Sequence, residues 1–212
     1  MNPRTAESLK RPILCLVTDG GGNIPSTLDR IRAAAAAGVD VIQLRESQLP
    51  DRALLDLTRR ACEVAQDARV LVNDRLDVAL AANAHGVHLR ANGYSAARVR
   101  LTAGDTFLIG RSVHTLDEAL AAEREGACDY LLFGTVFRSS SKPEGHRIAG
   151  IEGLREVCTR LHLPIVAIGG VTRANVAGIA GAGAAGVAAI SLFNDVESIA
   201  FTVELLRRTF DT

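Results

Sequence analysis

A chain of 212 residues is long for one ordinary domain and short for two, although an α/β barrel uses that span whole. Lys+Arg and Asp+Glu both number 24, so the formal charge of +0 leaves no basic surface for nucleic acid or an anionic membrane, and any phosphate must be held by a local site. Aromatics are only 4% with no Trp, which excludes base-stacking platforms, while 48% hydrophobic residues exclude disorder.

In chain order, residues 1–12 (MNPRTAESLKRP) are polar, lack the apolar stretch of a signal peptide, and read as a flexible N-terminal tail. Eight apolar runs follow: ILCLVTD from Ile13, VIQLRE from Val41, VLVND from Val70, GVHLR from Gly86, TFLIGRSV from Thr106, YLLFGTV from Tyr130, PIVAIGG from Pro164 and GVAAISLF from Gly186. They are continuous rather than alternating, as parallel strands are when both faces are covered. Between them lie segments with apolar residues at helical spacing, for which Ser26, Ser95 and Thr115 are candidate N-caps. Glycines recur before the next strand in AAAGVDVIQL, NAHGVHL, EGACDYLLF and AGAAGVAAI, where a left-handed residue would end each helix. Eight βα units at roughly 25-residue spacing predict one compact (β/α)₈ TIM barrel over residues 13–212.

Several patterns carry no function. Gly181, Gly183 and Gly186 match G-x-G-x-x-G, but the order is helix then strand, the reverse of what a dinucleotide site needs. Ser139 and Lys142 match S-x-x-K without the accompanying motifs of penicillin-recognising enzymes. Ala174 to Phe193 has no charge over twenty residues, but its Ala and Gly content does not suit a bilayer span. Cys15, Cys62, Cys128 and Cys158 lack zinc or disulfide spacing and point to a reducing cytoplasm.

In such barrels the chemistry sits at the C-terminal ends of the strands. There the sequence offers Gln43 and Arg45 on one side of strand two, Asn73 and Asp74 closing strand three, and Ser112 and His114 closing strand five. A rim histidine can shuttle protons near neutral pH, so His114 is the candidate acid/base. An Arg inside a barrel needs a partner, either an anionic ligand or a carboxylate such as Asp19 or Asp74. Ser139, Ser141 and Lys142 form a polar loop after strand six, and Gly169, Gly170 and Ser191 provide the phosphate site common after strands seven and eight. Asp74 could hold Mg²⁺, though one carboxylate is little for a metal. His85 and His162 read as structural, His88 as a core or rim residue, and the loop Gly20 to Asn23 has no decisive role.

Together, VTD, QLRE, VNDRLDVAL, GVHL, IGRSVHTLDEA, FGTVF with SSSKP, GIEGL, PIVAIGGVT and AGAAGVAAISLF resemble the thiamin phosphate synthase and thiazole tautomerase (TenI-like) superfamily, from Ile13 to Phe193. The resemblance implies thiamin biosynthesis, a small phosphorylated thiazole as ligand, no nucleic acid or membrane partner, and a homo-oligomer. Synthases of this kind carry a lysine where Ser47 stands, and Gly, Gln and Asp where Arg90, Ala91 and Gly93 stand. Losing one cation and one metal carboxylate weakens a reaction that expels pyrophosphate, because the leaving charge must be neutralised. IGRSVHTLDEA also resembles the tautomerase version of strand five. The expectation is therefore a cofactor-free thiazole tautomerase, an isomerase with His114 as acid/base, Arg45 on the substrate carboxylate and Gly169, Gly170 and Ser191 on its phosphate. The alternatives are a Mg²⁺-dependent thiamin phosphate synthase, a transferase that also takes an aminopyrimidine diphosphate on Gln43, Arg45, Asn73 and Lys142 with Asp74 on the metal; a non-catalytic binder of a thiamin precursor phosphate; and a barrel isomerase of another pathway.

Overall fold

A computed structural model describes Leu9, residues 12–139, Pro143, Gly145 and residues 147–211 of the chain. Eight parallel strands close into a barrel in chain order: β1 Ile13–Val17, β2 Val41–Leu44, β3 Arg69–Asn73, β4 Gly86–Leu89, β5 Leu108–Val113, β6 Tyr130–Phe133, β7 Ile165–Ile168 and β8 Gly186–Ala189. Each is followed by a helix on the outside: α1 Ile24–Ala36, α2 Asp51–Val64, α3 Leu76–Ala81, α4 Ala96–Ala103, α5 Leu116–Glu125, α6 Gly150–Arg160, α7 Val176–Gly181 and α8 Ile199–Phe210. A 3-10 turn at Ser191–Phe193 and another at Val196–Ser198 lie between β8 and α8. The expected (β/α)₈ barrel is the observed one.

The strand residues divide between two cores, as the two-residue side-chain period requires. Leu14 and Leu16 join Ile42, Leu44, Val70, Val72 and the inner faces of the helices in a large outer layer. Ile13, Cys15 and Val17 face inward with Val41, Leu71, Leu108, Tyr130, Leu132 and Val166, filling the barrel axis. Leu9 is buried with this inner group, so the tail expected over residues 1–12 contributes at least one core contact.

Two local readings change. The N-cap of α1 is Asn23, whose side chain accepts from the N–H of Ser26, so the loop after β1 has the structural task of starting this helix. Ser95 and Thr115 cap α4 and α5 as expected, accepting from Arg98 N–H and Glu118 N–H. Left-handed helix exits are at Gly38, Gln66, Asn83, Gly126 and Gly183, whereas Gly86 and Gly186 open strands. Those two are glycine because a Cβ would sit 2.1 Å from Leu108 O and 2.0 Å from Ile13 O.

The uncharged run Ala174 to Phe193 is divided among α7, β8 and a 3-10 turn, and no described helix is long and apolar enough to cross a membrane. The barrel ends are secured by ion pairs away from the site. Asp129 is buried, accepts from Ile109 N–H at 2.6 Å and pairs with Arg100 at 2.8 Å, joining β5, β6 and α4. Asp40 likewise holds Arg207 of α8 and Leu14 N–H, both at 2.8 Å.

Candidate functional site

A cavity of about 430 Å³ opens at the C-terminal ends of the strands, the end at which barrel enzymes do chemistry. Most of the expected site residues line it: Gln43 and Arg45 from the end of β2, Asn73 from β3, Ser112 and His114 from β5, Ser139 after β6, Gly169 and Gly170 after β7, and Ser191 after β8. Ser141 and Lys142 lie outside the described residues.

On the β2–β3 side, Gln43 is 3% exposed and donates through Nε2 to Asn73 Oδ1 at 2.9 Å, while its own Oε1 is buried without a partner. Arg45 is anchored through its backbone N–H, which donates to Thr18 Oγ1 at 2.8 Å. Neither carboxylate considered for its guanidinium takes it: Asp19 pairs with Arg30 at 2.8 Å and Asp74 with Arg90. The Arg45 side chain has no partner among the described residues and faces the cavity, a charge placed for an anion.

Asp74 does not line the cavity. It is in the left-handed region at φ 58, a conformation Asp tolerates better than most residues, and turns its carboxylate onto Arg90. Oδ1 accepts the backbone N–H of Arg90 at 2.9 Å, and Oδ2 forms an ion pair with Arg90 Nε. Gly93 fits close by, where a Cβ would stand 3.1 Å from Asp74 Oδ1. Among the described residues no three His, Cys, Asp or Glu side chains converge as metal ligands. No described carboxylate lines the cavity, and a guanidinium engages the one carboxylate expected to hold Mg²⁺, so the chain itself offers such an ion no free carboxylate there. Glu46, two residues after the end of β2, is buried and accepts from Gly22 N–H at 3.1 Å.

The opposite wall is backbone. Gly169 and Gly170 have φ of 98 and 63, and a Cβ on either would lie 2.5 Å from Thr135 Cγ2 or 2.3 Å from Arg138 O. These glycines follow from the close approach of the β6 and β7 loops, and they leave bare peptide facing the cavity. His114 is exposed to the cavity, its backbone N–H bonded to Glu118 at 2.7 Å. Its Nδ1 is 2.5 Å from the carbonyl oxygen of Gly134, which can only accept, so Nδ1 carries a hydrogen and donates it there.

Four polar lining residues were not among the candidate site residues: Arg90, Asn92, Thr135 and Asn194. Arg90 and Asn92 are in a loop where only a departure from a motif drew notice, and Asn194 is fixed by Arg30, 164 positions away, at 3.0 Å. Buried His88, below Ser112, is the other surprise; its pKa is pushed down to about 3 by burial and by the charge of Arg111.

Fold and site thus define a (β/α)₈ barrel protein with an anion-adapted cavity at its catalytic rim. The family model described as thiamine monophosphate synthase matches residues 14–193, and the chain belongs to that family. A thiamine-phosphate synthase of Moorella thermoacetica is 41% identical over 194 residues, covering 91% of each chain. One from Methanoculleus marisnigri is 46% identical over 169 residues, covering 77% of this chain and 79% of its own. A solved thiamine phosphate pyrophosphorylase from Pyrococcus furiosus superposes with a TM-score of 0.81 at 32% identity, covering 94% of this chain and 95% of that one.

These relatives overturn the expectation of a thiazole tautomerase. At about 40% identity over most of the chain they are synthases, which are transferases and not isomerases, and they support the synthase alternative. The departures at Ser47, Arg90 and Gly93 therefore do not mark an isomerase, and Arg90 itself places a cation at the cavity.

Proposed function

We propose that this protein is a transferase that joins an aminopyrimidine diphosphate to a thiazole phosphate, giving thiamin phosphate and pyrophosphate. The observation that carries the reading is a single cavity with two anion-adapted walls: Arg45, Asn73 and Arg90 from the β2–β4 side, and the bare backbone of Gly169, Gly170 and Ser191 across the barrel. One wall suits a diphosphate, the other a single phosphate, which is what two phosphorylated substrates require.

In the reaction, the thiazole ring nitrogen forms a bond to the pyrimidine methylene as the carbon–oxygen bond to the diphosphate breaks. The electron pair leaves with the diphosphate. Negative charge grows on the leaving oxygens, and donors already aimed at them stabilise it without reorganising. Arg45, Asn73 and Ser112 are placed for this, and Ser139, Ser141 and Lys142 are assigned to the same group by the resemblance. The phosphate on Gly169, Gly170 and Ser191 holds the thiazole in line, turning a bimolecular encounter into a positioned one. No proton is transferred in the bond-forming step, so His114 serves as a polar wall with its ring fixed by Gly134.

Mg²⁺ would neutralise diphosphate charge, but no step is assigned to it, because Asp74 is engaged by Arg90. The reading takes residues 13–212 as one barrel domain behind a short tail and the active form as a homo-oligomer. The free state of all four cysteines suits a cytoplasmic setting.

The test is incubation with both substrates, with and without Mg²⁺, followed by chromatography and a pyrophosphate assay. Thiamin phosphate and pyrophosphate in equal amounts are expected. Binding of both ligands with no product under either condition would sink the proposal and leave a non-catalytic binder.

A further inference from the structure

Three polar side chains form a line on the β4–β6 side of the barrel interior. His88 and Tyr130 are both fully buried, at 0% exposure, and His88 Nδ1 lies 3.2 Å from Tyr130 Oη. His88 Nε2 lies 2.9 Å from Ser112 Oγ, and Ser112 lines the cavity. Strand register explains the placement. Gly110 of β5 pairs with His88 on one side and Tyr130 on the other, and Ser112 is two residues nearer the rim on the same face. Gly110 is glycine because a Cβ there would fall 2.3 Å from the Tyr130 ring and 2.6 Å from His88 Nδ1. The ring pair therefore uses the space that a side chain on β5 would fill.

The direction of the line follows from counting protons. A buried hydroxyl hydrogen left without an acceptor costs more than an ordinary hydrogen bond gains. Among the described residues His88 Nδ1 is the only hydrogen-bond partner of the Tyr130 hydroxyl. Tyr130 must donate, so Nδ1 accepts and the neutral ring carries its proton on Nε2. That Nε2–H then donates to Ser112 Oγ. With its oxygen accepting from His88, Ser112 keeps its own hydrogen free for the cavity. Burial and Arg111 hold His88 neutral, which keeps the pattern from reversing by protonation.

We infer that Tyr130 and His88 are positioning residues that keep the Ser112 hydrogen free for donation into the cavity, to an anionic oxygen of the substrate. The hydrogen-bond direction rests on the geometry alone; the identity of that oxygen, on the departing diphosphate, rests on the synthase reading above. A serine that donated to His88 would have only lone pairs left for the leaving oxygens, whereas one that accepts from His88 has its hydrogen to give.

Two measurements test this separately. In ¹⁵N-histidine-labelled protein, with His88 assigned by its loss in His88→Gln, the His88 ring is expected to carry its proton on Nε2 from pH 6 to 8. A proton on Nδ1, or a cationic ring, overturns the inference whatever the enzyme's activity. In steady-state assays, Tyr130→Phe should lower kcat by about tenfold, the order expected for misdirecting one charge-assisted donor, and should have no further effect in a Ser112→Ala background. Equal losses in both backgrounds would mean that Tyr130 only packs, and would also overturn it. A wild-type protein that makes no thiamin phosphate removes the synthase reading while leaving the ring-proton measurement to decide the relay.

Discussion

Arg90 closes on Asp74 twice, once through its backbone N–H at 2.9 Å and once through its guanidinium. The carboxylate is largely covered, at 12% exposure, while the arginine side chain is 70% exposed and reaches the cavity rim. Asp74 thus holds a cation at the mouth of the site instead of offering its oxygens to a metal. Truncating Arg90 to Ala should raise the KM for the diphosphate substrate by about 10-fold, the usual scale for one charge-assisted contact. The KM for the thiazole phosphate should change by less than about 3-fold, because that phosphate is assigned to the other wall. Equal changes in both constants would contradict the division of the cavity.

Arg45 differs from the other rim cations because its guanidinium is matched to no carboxylate among the described residues. Removing an unpaired charge leaves nothing buried behind. Arg45→Ala should therefore lower kcat/KM by about 10²-fold or more with Tm nearly unchanged, measured by kinetics and thermal melting on the same preparation. Arg45→Lys should recover only part of the loss, since an ammonium lacks the planar fork that meets two phosphate oxygens. A large fall in Tm would show that the side chain is structural.

His114 is where the two activities diverge. A tautomerisation collapses without its proton shuttle, commonly by 10²-fold or more, whereas the condensation moves no proton in its bond-forming step. His114→Gln keeps a polar side chain at the cavity and should retain thiamin phosphate formation within about tenfold of wild type. A loss of several orders of magnitude with the fold intact would restore a chemical role to the ring.

The buried imidazole of His88 predicts how stability depends on pH. Its folded pKa is lowered to about 3 from the ordinary 6.5, so between those values the unfolded chain binds the extra proton. Stability from this group is fully present above pH 6.5 and is lost as pH falls toward 3, at about 1.4 kcal/mol per pH unit. His85 is shifted in the same direction by partial burial and by Arg69, so the comparison must be with His88→Gln. Urea unfolding from pH 7 to pH 5 should show a shallower decline for the variant. Parallel declines would mean that His88 protonates in the folded state.

Much of the site was legible because barrel geometry ties function to one end of each strand. Gln43, Arg45, Asn73, Ser112, His114, Gly169, Gly170 and Ser191 follow apolar runs and all reach the cavity. Asp74 ends such a run too, but a left-handed backbone turns it aside, and the order of residues gives no warning of that. The departures at Arg90 and Gly93 were visible as letters, yet their meaning depended on where a long side chain would reach. Read only as losses, they favoured the wrong branch of the family.

The sequence by itself determined the barrel, its eight units and the end that carries the site, because these follow from hydrophobic period and turn chemistry, which are local. Tertiary structure alone decided which charges meet. Arg30 with Asp19, Arg90 with Asp74, and Arg45 without a carboxylate among the described residues are outcomes of side chains from different loops competing for the same partners. It also decided that His88, Tyr130 and Ser112 form a line, since strand register brings together residues up to 42 positions apart. The balanced charge of 24 against 24 excluded a basic surface from the start. Only the packed barrel brings Arg45 and Arg90 to one rim, a local gathering of cations that net charge does not report.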